Sequence, residues 1–93
     1  MPNPFRPRHG EGTTFKYQLA SDASISIIIY DITGRLLWQR VYSAGSQGGR
    51  INFNDVLWNG INDFGDYVPN GAYIFLITSG EKILVKGQLA VAD

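Results

Sequence analysis

Alternating hydrophobic and polar residues run along most of the chain and predict β-strands. Thr13–Leu19 places its large apolar side chains at every second position, which is the period of a half-buried strand. The β-branched segment Ala23–Asp31 also favours a strand over a helix. Its serines set the parity, so alternate isoleucines should face inward: Ile25, Ile27 and Ile29. Ile28 and Tyr30 then require cover from another element.

Glycine, proline, Asn and Asp clusters separate further apolar segments. These segments predict strands at Leu36–Tyr42, Arg50–Trp58 (interrupted near Asn54 and Asp55), Ala72–Thr78 and Ile83–Val91, with Gly87 as a bulge. Gly34 should supply the positive φ of the turn after Asp31. The parity of Leu36–Tyr42 is ambiguous, because either Leu37 or Trp38 could point inward.

About seven short strands separated by frequent turns predict an all-β, Ig-like antiparallel sandwich, similar in architecture to fibronectin III. Residues 1–12 contain three of the four prolines and read as an extended lead-in, whose Phe5 should reach the core. Residues 13–93 would then form the domain. A Met before a Pro-rich start suggests a C-terminal fragment of a larger protein.

The balance of charges and the residue types present exclude several classes of function. Eight basic and eight acidic side chains give a net charge of zero, so nothing favours nucleic acid. No apolar run is long enough to insert into a membrane. Without cysteine there is no thiolate metal site, and the single histidine, His9, lies in the lead-in. We therefore expect no enzyme activity and no cofactor.

One polar cluster, in the loop 59–70, admits two interpretations. Asn62, Asp63 and Asp66 carry oxygen atoms at the close spacing that a calcium ion requires, but they do not follow the EF-hand pattern. The same residue types commonly cap backbone N–H groups in turns, and the sequence favours this role.

The two tryptophans also have alternative roles. Trp58 is expected between the sheets, where Ig-like sandwiches bury a large aromatic, together with Tyr73 or Phe75. Trp38 and Tyr42 share a strand face. If that face pointed outward, they would form an aromatic strip suited to a protein partner or a sugar.

Several short motifs, taken in order, are similar to those of a known family. They are Pro2-Asn3-Pro4-Phe5, Ile29–Leu36 (IYDITGRL), Leu57–Gly60 (LWNG), Gly65, and Val68–Tyr73 (VPNGAY). This set resembles the Ig-like domain first named for the flagellar hook-capping protein FlgD and the related C-terminal sorting domains of the type IX secretion system. The resemblance implies a sandwich at the end of an exported protein.

These observations lead to a hypothesis of a non-catalytic C-terminal module of an exported bacterial protein, secreted or at the cell surface through a signal peptide outside this chain. It would act in secretion sorting, surface anchoring or structural support. The partner would belong to the secretion or envelope machinery and bind the last strand, which predicts contacts at Lys82, Ile83, Val85 and Lys86. The aromatic pair Trp38 and Tyr42, on the strand Leu36–Tyr42, is a further candidate for partner contact. Pairing of edge strands could also give a homodimer. The alternative is a carbohydrate-binding accessory module of a secreted enzyme, using Trp38, Tyr42 or Tyr67.

Overall fold

A computed structural model describes residues 3–93, which form an all-β sandwich of two antiparallel sheets. The predicted fold class is therefore confirmed. One turn of 3-10 helix (Pro7–His9) precedes six strands: β1 (Thr13–Leu19), β2 (Ile25–Asp31), β3 (Leu36–Tyr42), β4 (Asn52–Trp58), β5 (Gly71–Ser79) and β6 (Lys82–Val91). The described part of the chain thus has six strands where about seven were predicted. Phe5 and the loop 59–70 contribute isolated bridges only.

The two sheets differ in width. The large sheet has the order β3-β2-β5-β6, and the small sheet consists of β1 and β4. Residues of β4 and β3 line one side opening of the sandwich, and residues of β1 and β6 line the other. Because two strands cover four, both side openings expose part of the interior of the large sheet.

Side chains from both sheets meet in a core rich in aromatic residues. The inward isoleucines of β2 are at most 1% exposed, which confirms the predicted parity. Phe15 and Phe75 contact across the sheets with ring centroids 4.9 Å apart. Trp58 is 1% exposed and lies against Trp38, with ring centroids 6.1 Å apart. The expectation that Trp58 occupies the core is confirmed.

The register resolves the ambiguous strand and corrects two details. A bulge in the pairing of β2 with β3 lies opposite Ile29 and Tyr30, so Leu37 and Trp38 are both buried. β4 runs uninterrupted through Asn54, because the Asn54 side chain is buried and bonded to the backbone of the preceding loop. In the last hairpin the bulge occurs near Leu84, and the prediction at Gly87 is wrong. The turn prediction is confirmed, with φ of +89° at Gly34.

The segment before β1 is packed onto the sandwich. Phe5 is fully buried and forms a parallel bridge with Val91, and Pro7 is also buried. The Phe5 ring meets Trp58 edge-on at 5.9 Å. The expectation that Phe5 reaches the core is confirmed. Met1 and Pro2 belong to the predicted lead-in, and Pro2 also begins the first motif of the resemblance; both residues lie outside the described part of the chain.

Candidate functional site

The last strand, β6, lies at the edge of the large sheet, and half of that edge is already occupied. The backbone N–H of Phe5 donates to the Ala90 carbonyl, and the N–H of Ala92 donates to the Phe5 carbonyl, both at 3.1 Å. The Asn3 side chain accepts from the Ala90 N–H at 2.8 Å. Any partner of this edge is therefore directed toward residues 82–87.

The candidate residues of β6 lie on different faces of the sheet. The bulge pairs Val85 with Ile77 and Ile83 with Thr78. Val85 consequently faces the small sheet, as Ile77 does, whereas Ile83 points outward. Lys86 pairs with Leu76 and also points outward. The predicted contact set Lys82, Ile83, Val85 and Lys86 thus cannot act as one continuous surface.

An apolar opening lies between β6 and the free edge of β1, and we call it the β1–β6 cleft. Two adjoining depressions of about 150 and 360 Å³ form it. Leu84 and Val85 form its β6 wall and are each 37% exposed. Ile77 lies between the walls, and residues 14–20 form the opposite side. The narrow small sheet accounts for this opening, because no strand within residues 3–93 covers Leu84 and Val85.

Residues 14–19 of β1 contribute a backbone edge to this cleft that no described strand pairs with. β1 pairs with β4 in register from Thr13–Trp58 to Leu19–Asn52, and the described residues provide no strand on its other side. A strand with a free edge can accept a further strand by backbone hydrogen bonding. A strand added there would widen the small sheet from two strands to three and would cover Leu84 and Val85.

All three lysines of the chain, Lys16, Lys82 and Lys86, lie on the two strands that border the cleft. None of them takes part in the four ion pairs formed within residues 3–93. Asp55 stands opposite Lys16 in the ladder, and Glu81 precedes Lys82. Lys86 points to the outer face of the sheet, so Lys16 and Lys82 are the lysines that could meet carboxylates of a partner beside its apolar residues.

The opposite opening of the sandwich contains the predicted aromatic pair. Trp38 and Tyr42 face inward, because they pair with the inward Ile29 and Ile25. Trp38 is only 5% exposed, and the Arg40 guanidinium lies over its ring at 4.8 Å. The alternative of an exposed aromatic strip, which required an outward face, is therefore not realised, since the inward parity buries Trp38. Tyr42 is partly buried, and this burial raises its pKa.

This second opening is a polar cleft of about 340 Å³ between β3 and β4, and its lining includes Arg40, Asn59 and Asn62. Neither tryptophan presents a free ring face there, as Trp58 is 1% exposed. Tyr67, the third aromatic of the carbohydrate hypothesis, is 43% exposed and carries the Arg8 guanidinium 5.3 Å above its ring. Sugar stacking requires an open aromatic plane. The structure therefore supports the carbohydrate-binding hypothesis less than the sequence alone did.

In the loop 59–70, the side chains of two candidate calcium ligands, Asn62 and Asp63, make turn and edge contacts. The Asn62 side-chain oxygen accepts hydrogen bonds from the N–H groups of Phe64 and Asp66, at 2.9 and 3.1 Å. The Asp63 carboxylate accepts from the Gln39 N–H at 3.0 Å and from Arg40 at 2.6 Å. No group of three or more His, Cys, Asp or Glu residues suited to a metal occurs in the described chain.

Asp63 therefore closes the free edge of β3, a role that the sequence did not indicate. Its own N–H donates to the Leu37 carbonyl at 2.8 Å, in addition to the contact with the Gln39 N–H. The hydrogen bond from Arg40 lowers the pKa of the Asp63 carboxyl, and the Gln39 N–H acts in the same direction. The contribution of Leu84 was also missed, because it depends on the position of a bulge.

Within residues 3–93, the fold and this cleft define an all-β sandwich module in which the edge of a two-stranded sheet borders an apolar cleft. No protein-family model matches the chain, and no curated protein matches it. Among solved structures, the chain is similar to part of PorZ, described as an essential bacterial surface component of the type IX secretion system of Porphyromonas gingivalis. The two are 28% identical over 99% of this chain, with a TM-score of 0.65.

The match spans 11% of the length of PorZ. It is consistent with the resemblance to type IX secretion domains. In residues 3–93, no helix has the length and hydropathy needed to cross a membrane.

Proposed function

We propose that this chain is a non-catalytic sandwich module of an exported bacterial protein, acting at the cell surface or after secretion. Its role would be secretion sorting, surface anchoring or structural support, through a protein partner in the secretion or envelope machinery. The observation that carries the proposal is the similarity to part of PorZ, a surface component of the type IX system, along 99% of the chain.

The β1–β6 cleft is the site that we assign to the partner. An extended segment of the partner would pair with the free edge of β1 from Thr14 to Leu19. Alternate side chains of that segment would then pack on Leu84 and Val85, which are 37% exposed without it. Backbone pairing supplies affinity in this binding mode, and the side-chain pockets supply specificity. Lys16 and Lys82 favour a segment that carries acidic residues.

A purely physical role also fits the distribution of titratable side chains. His9, the single histidine, is exposed, and its Nδ1 lies 3.5 Å from the Asp93 carboxylate. Asp63 is engaged by Arg40. No nucleophile with an oriented base is needed for recognition of a strand, and none of the candidate contacts requires a cofactor.

The proposal can be tested by fusing the chain to a periplasmic reporter in a bacterium with type IX secretion. The fraction of reporter at the cell surface is then measured by protease accessibility. The sequence would suggest deleting residues 83–93, but Leu89 and Val91 are at most 2% exposed, so that deletion would unfold the sandwich. Single substitutions in the cleft are sharper.

Leu84→Glu places a charge in the apolar wall of the cleft and should reduce the surface fraction several-fold. Leu57→Glu is the matched control, since Leu57 is 64% exposed on the outer face of β4. Both variants are checked by thermal melting. Sorting is excluded if the unsubstituted fusion stays in the periplasm. If Leu84→Glu and Leu57→Glu both reach the surface like the parent, the partner binds elsewhere.

A further inference from the structure

The outer face of the large sheet is apolar at its centre. Ile28 pairs with Leu76, and Tyr30 pairs with Ile74, so four large side chains from the two middle strands stand side by side. They point away from the core, because Ile27, Ile29, Phe75 and Ile77 alternate with them on the inner face. The sequence showed that Ile28 and Tyr30 need cover, and the small sheet lies on the other side.

Residues on the edge strands extend this apolar surface. The exposed fractions of Val41, Ile83 and Leu36 are 68%, 55% and 44%. Val41 and Ile83 lie in the same row through Ser26 and Thr78. The four central residues are partly buried by their neighbours within the sheet, but residues 3–93 contain no further strand or helix to lie over them. Contiguous apolar surface of this extent marks an interaction site.

Charge is nearly absent from the strand positions on this face. The rows across the sheet read Gln39–Ile28–Leu76–Lys86 and Leu36–Tyr30–Ile74–Gln88. Lys86 is the one charged residue in them. An interface core depleted of charge and bordered by polar groups is typical of protein contacts. Since the chain has a net charge of zero, overall repulsion does not keep two copies apart.

These rows allow two copies of the chain to pack face to face with apolar side chains opposite apolar ones. A two-fold axis in the interface, parallel to the strands, places β2 over the partner's β5 and β3 over the partner's β6. Ile28 then meets the second copy's Leu76, and Gln39 meets the second copy's Lys86. An axis perpendicular to the strands would instead bring the two Lys86 side chains together, which like charges disfavour.

The size of the face is sufficient for such a contact. Four strands about 4.8 Å apart and about seven residues long span roughly 19 Å by 23 Å. Two copies would bury on the order of 1,000 Å² in total, the lower limit for specific interfaces. Two of the strand edges are less available to a second copy, because Asp63 closes part of the β3 edge and Phe5 closes part of the β6 edge.

We propose that the outer face of the large sheet is the contact between two copies of this chain, packed face to face around a two-fold axis parallel to the strands. The contact moves the predicted homodimer from the strand edges to the sheet face. It is independent of the cleft assigned to the secretion partner.

Sedimentation equilibrium of the chain from micromolar to millimolar concentration tests the proposal. A reversible dimer is expected, and Leu76→Glu should raise its dissociation constant at least about ten-fold, equivalent to about 1.4 kcal/mol. The control is Phe53→Glu, because Phe53 is 73% exposed on the outer face of the small sheet and should leave the dimer unchanged.

A gain-of-affinity variant keeps the test decisive if Leu76→Glu fails to fold. Gln39 is exposed, so Gln39→Glu should preserve the fold and strengthen the dimer several-fold by facing the second copy's Lys86. Adding Lys86→Gln should remove that gain. A chain that remains monomeric at millimolar concentration overturns the proposal. So does a dimer that is insensitive to both face variants but is dissociated by Leu84→Glu, which would place the contact in the cleft.

Discussion

The Asp63 carboxylate lies 2.6 Å from the Arg40 guanidinium and joins a loop to the edge of the large sheet. Both side chains are partly exposed, at 40% for Asp63 and 49% for Arg40, so solvent screens the attraction between them. The pair therefore matters more for holding the loop against the β3 edge than for the free energy of unfolding. The same carboxylate also binds the Gln39 N–H, which would otherwise be free to pair with another strand.

This contact predicts a pH-dependent loss of stability in Asp63→Asn. The Arg40 hydrogen bond lowers the pKa of Asp63 in the folded state below its unfolded value, about 3.9 for a free Asp. Its stabilisation is therefore present above that value and is lost as the pH falls through the folded pKa. Urea unfolding at about pH 7 should show Asp63→Asn less stable by about 0.2–1 kcal/mol.

The difference should close as the pH falls through the lowered pKa of Asp63, because the carboxylate of the parent is then protonated and loses its charge. Asp66→Asn removes a carboxylate from the same loop without touching Arg40, and it is the control. A stability gap for Asp63→Asn that stays constant into acid would contradict an electrostatic role for this pair.

The alternation of apolar and polar residues predicted most of the strands, but contacts between residues distant in sequence could not be predicted from it. The strand Thr13–Leu19 follows from its period alone, because the apolar or polar character of each residue indicates which face of the sheet its side chain occupies. The Asp63–Arg40 pair and the bulge at Leu84 depend on which strands are neighbours and in what register. The residue types of the loop 59–70 favoured turn chemistry over calcium, but composition could not identify the individual hydrogen-bond partners of these side chains.

Phe5 gives a second prediction, because it joins the start of the described chain to its last strand. The side chain is fully buried, and the backbone bonds to Ala90 and Ala92 at 3.1 Å. Phe5→Ala should lower the free energy of unfolding by about 3–5 kcal/mol, as other buried aromatic truncations do. Urea unfolding followed by circular dichroism measures the change.

Phe53→Ala provides the comparison for that experiment, because its ring is 73% exposed and its removal should cost little. If Phe5→Ala unfolds at the same urea concentration as the parent, residues 3–9 are a dispensable lead-in, as their proline content alone would suggest.

Trp58 occupies the centre of the aromatic core and also holds the following loop. Its ring N–H donates to the Ile61 carbonyl at 3.0 Å. Trp58→Ala should cost roughly 3–5 kcal/mol, a large part of the 5–15 kcal/mol typical of a small domain. Trp58→Phe keeps part of the packing but loses the hydrogen-bond donor, so its melting temperature should lie between those of Trp58→Ala and the parent. Equal melting of Trp58→Phe and the parent would show that the hydrogen bond contributes nothing.

Gly87 allows the Phe75 ring to cross the neighbouring strand. A Cβ at this position would lie 2.6 Å from the tip of that ring, and Phe15 on the other side limits its movement. Gly87→Ala should therefore destabilise the protein by about 1–3 kcal/mol, the usual cost of overpacking. The loss should be much smaller when Phe75→Leu is already present. Equal losses in both backgrounds would mean that the ring is not the obstacle.

Tyr17 predicts the behaviour of the protein at alkaline pH. It is 8% exposed, and its hydroxyl donates to the Gly48 carbonyl at 2.8 Å. Burial raises the pKa of Tyr17 to about 12, and the nearby Tyr42 adds to the effect. The unfolded value is about 10. Because the folded pKa is the higher one, the stabilisation is complete below about pH 10 and disappears as the pH approaches 12.

The free energy of unfolding of the parent should consequently fall across that alkaline range. Tyr17→Phe should be less stable at neutral pH by about 0.5–1.5 kcal/mol, because the Gly48 carbonyl loses its donor. Its stability should depend less on alkaline pH, because the buried hydroxyl is absent. Subtracting its tyrosinate absorbance titration from that of the parent isolates the ionisation of Tyr17. A midpoint near the unfolded value, together with equal alkaline slopes for both proteins, would mean that Tyr17 ionises without opposing the fold.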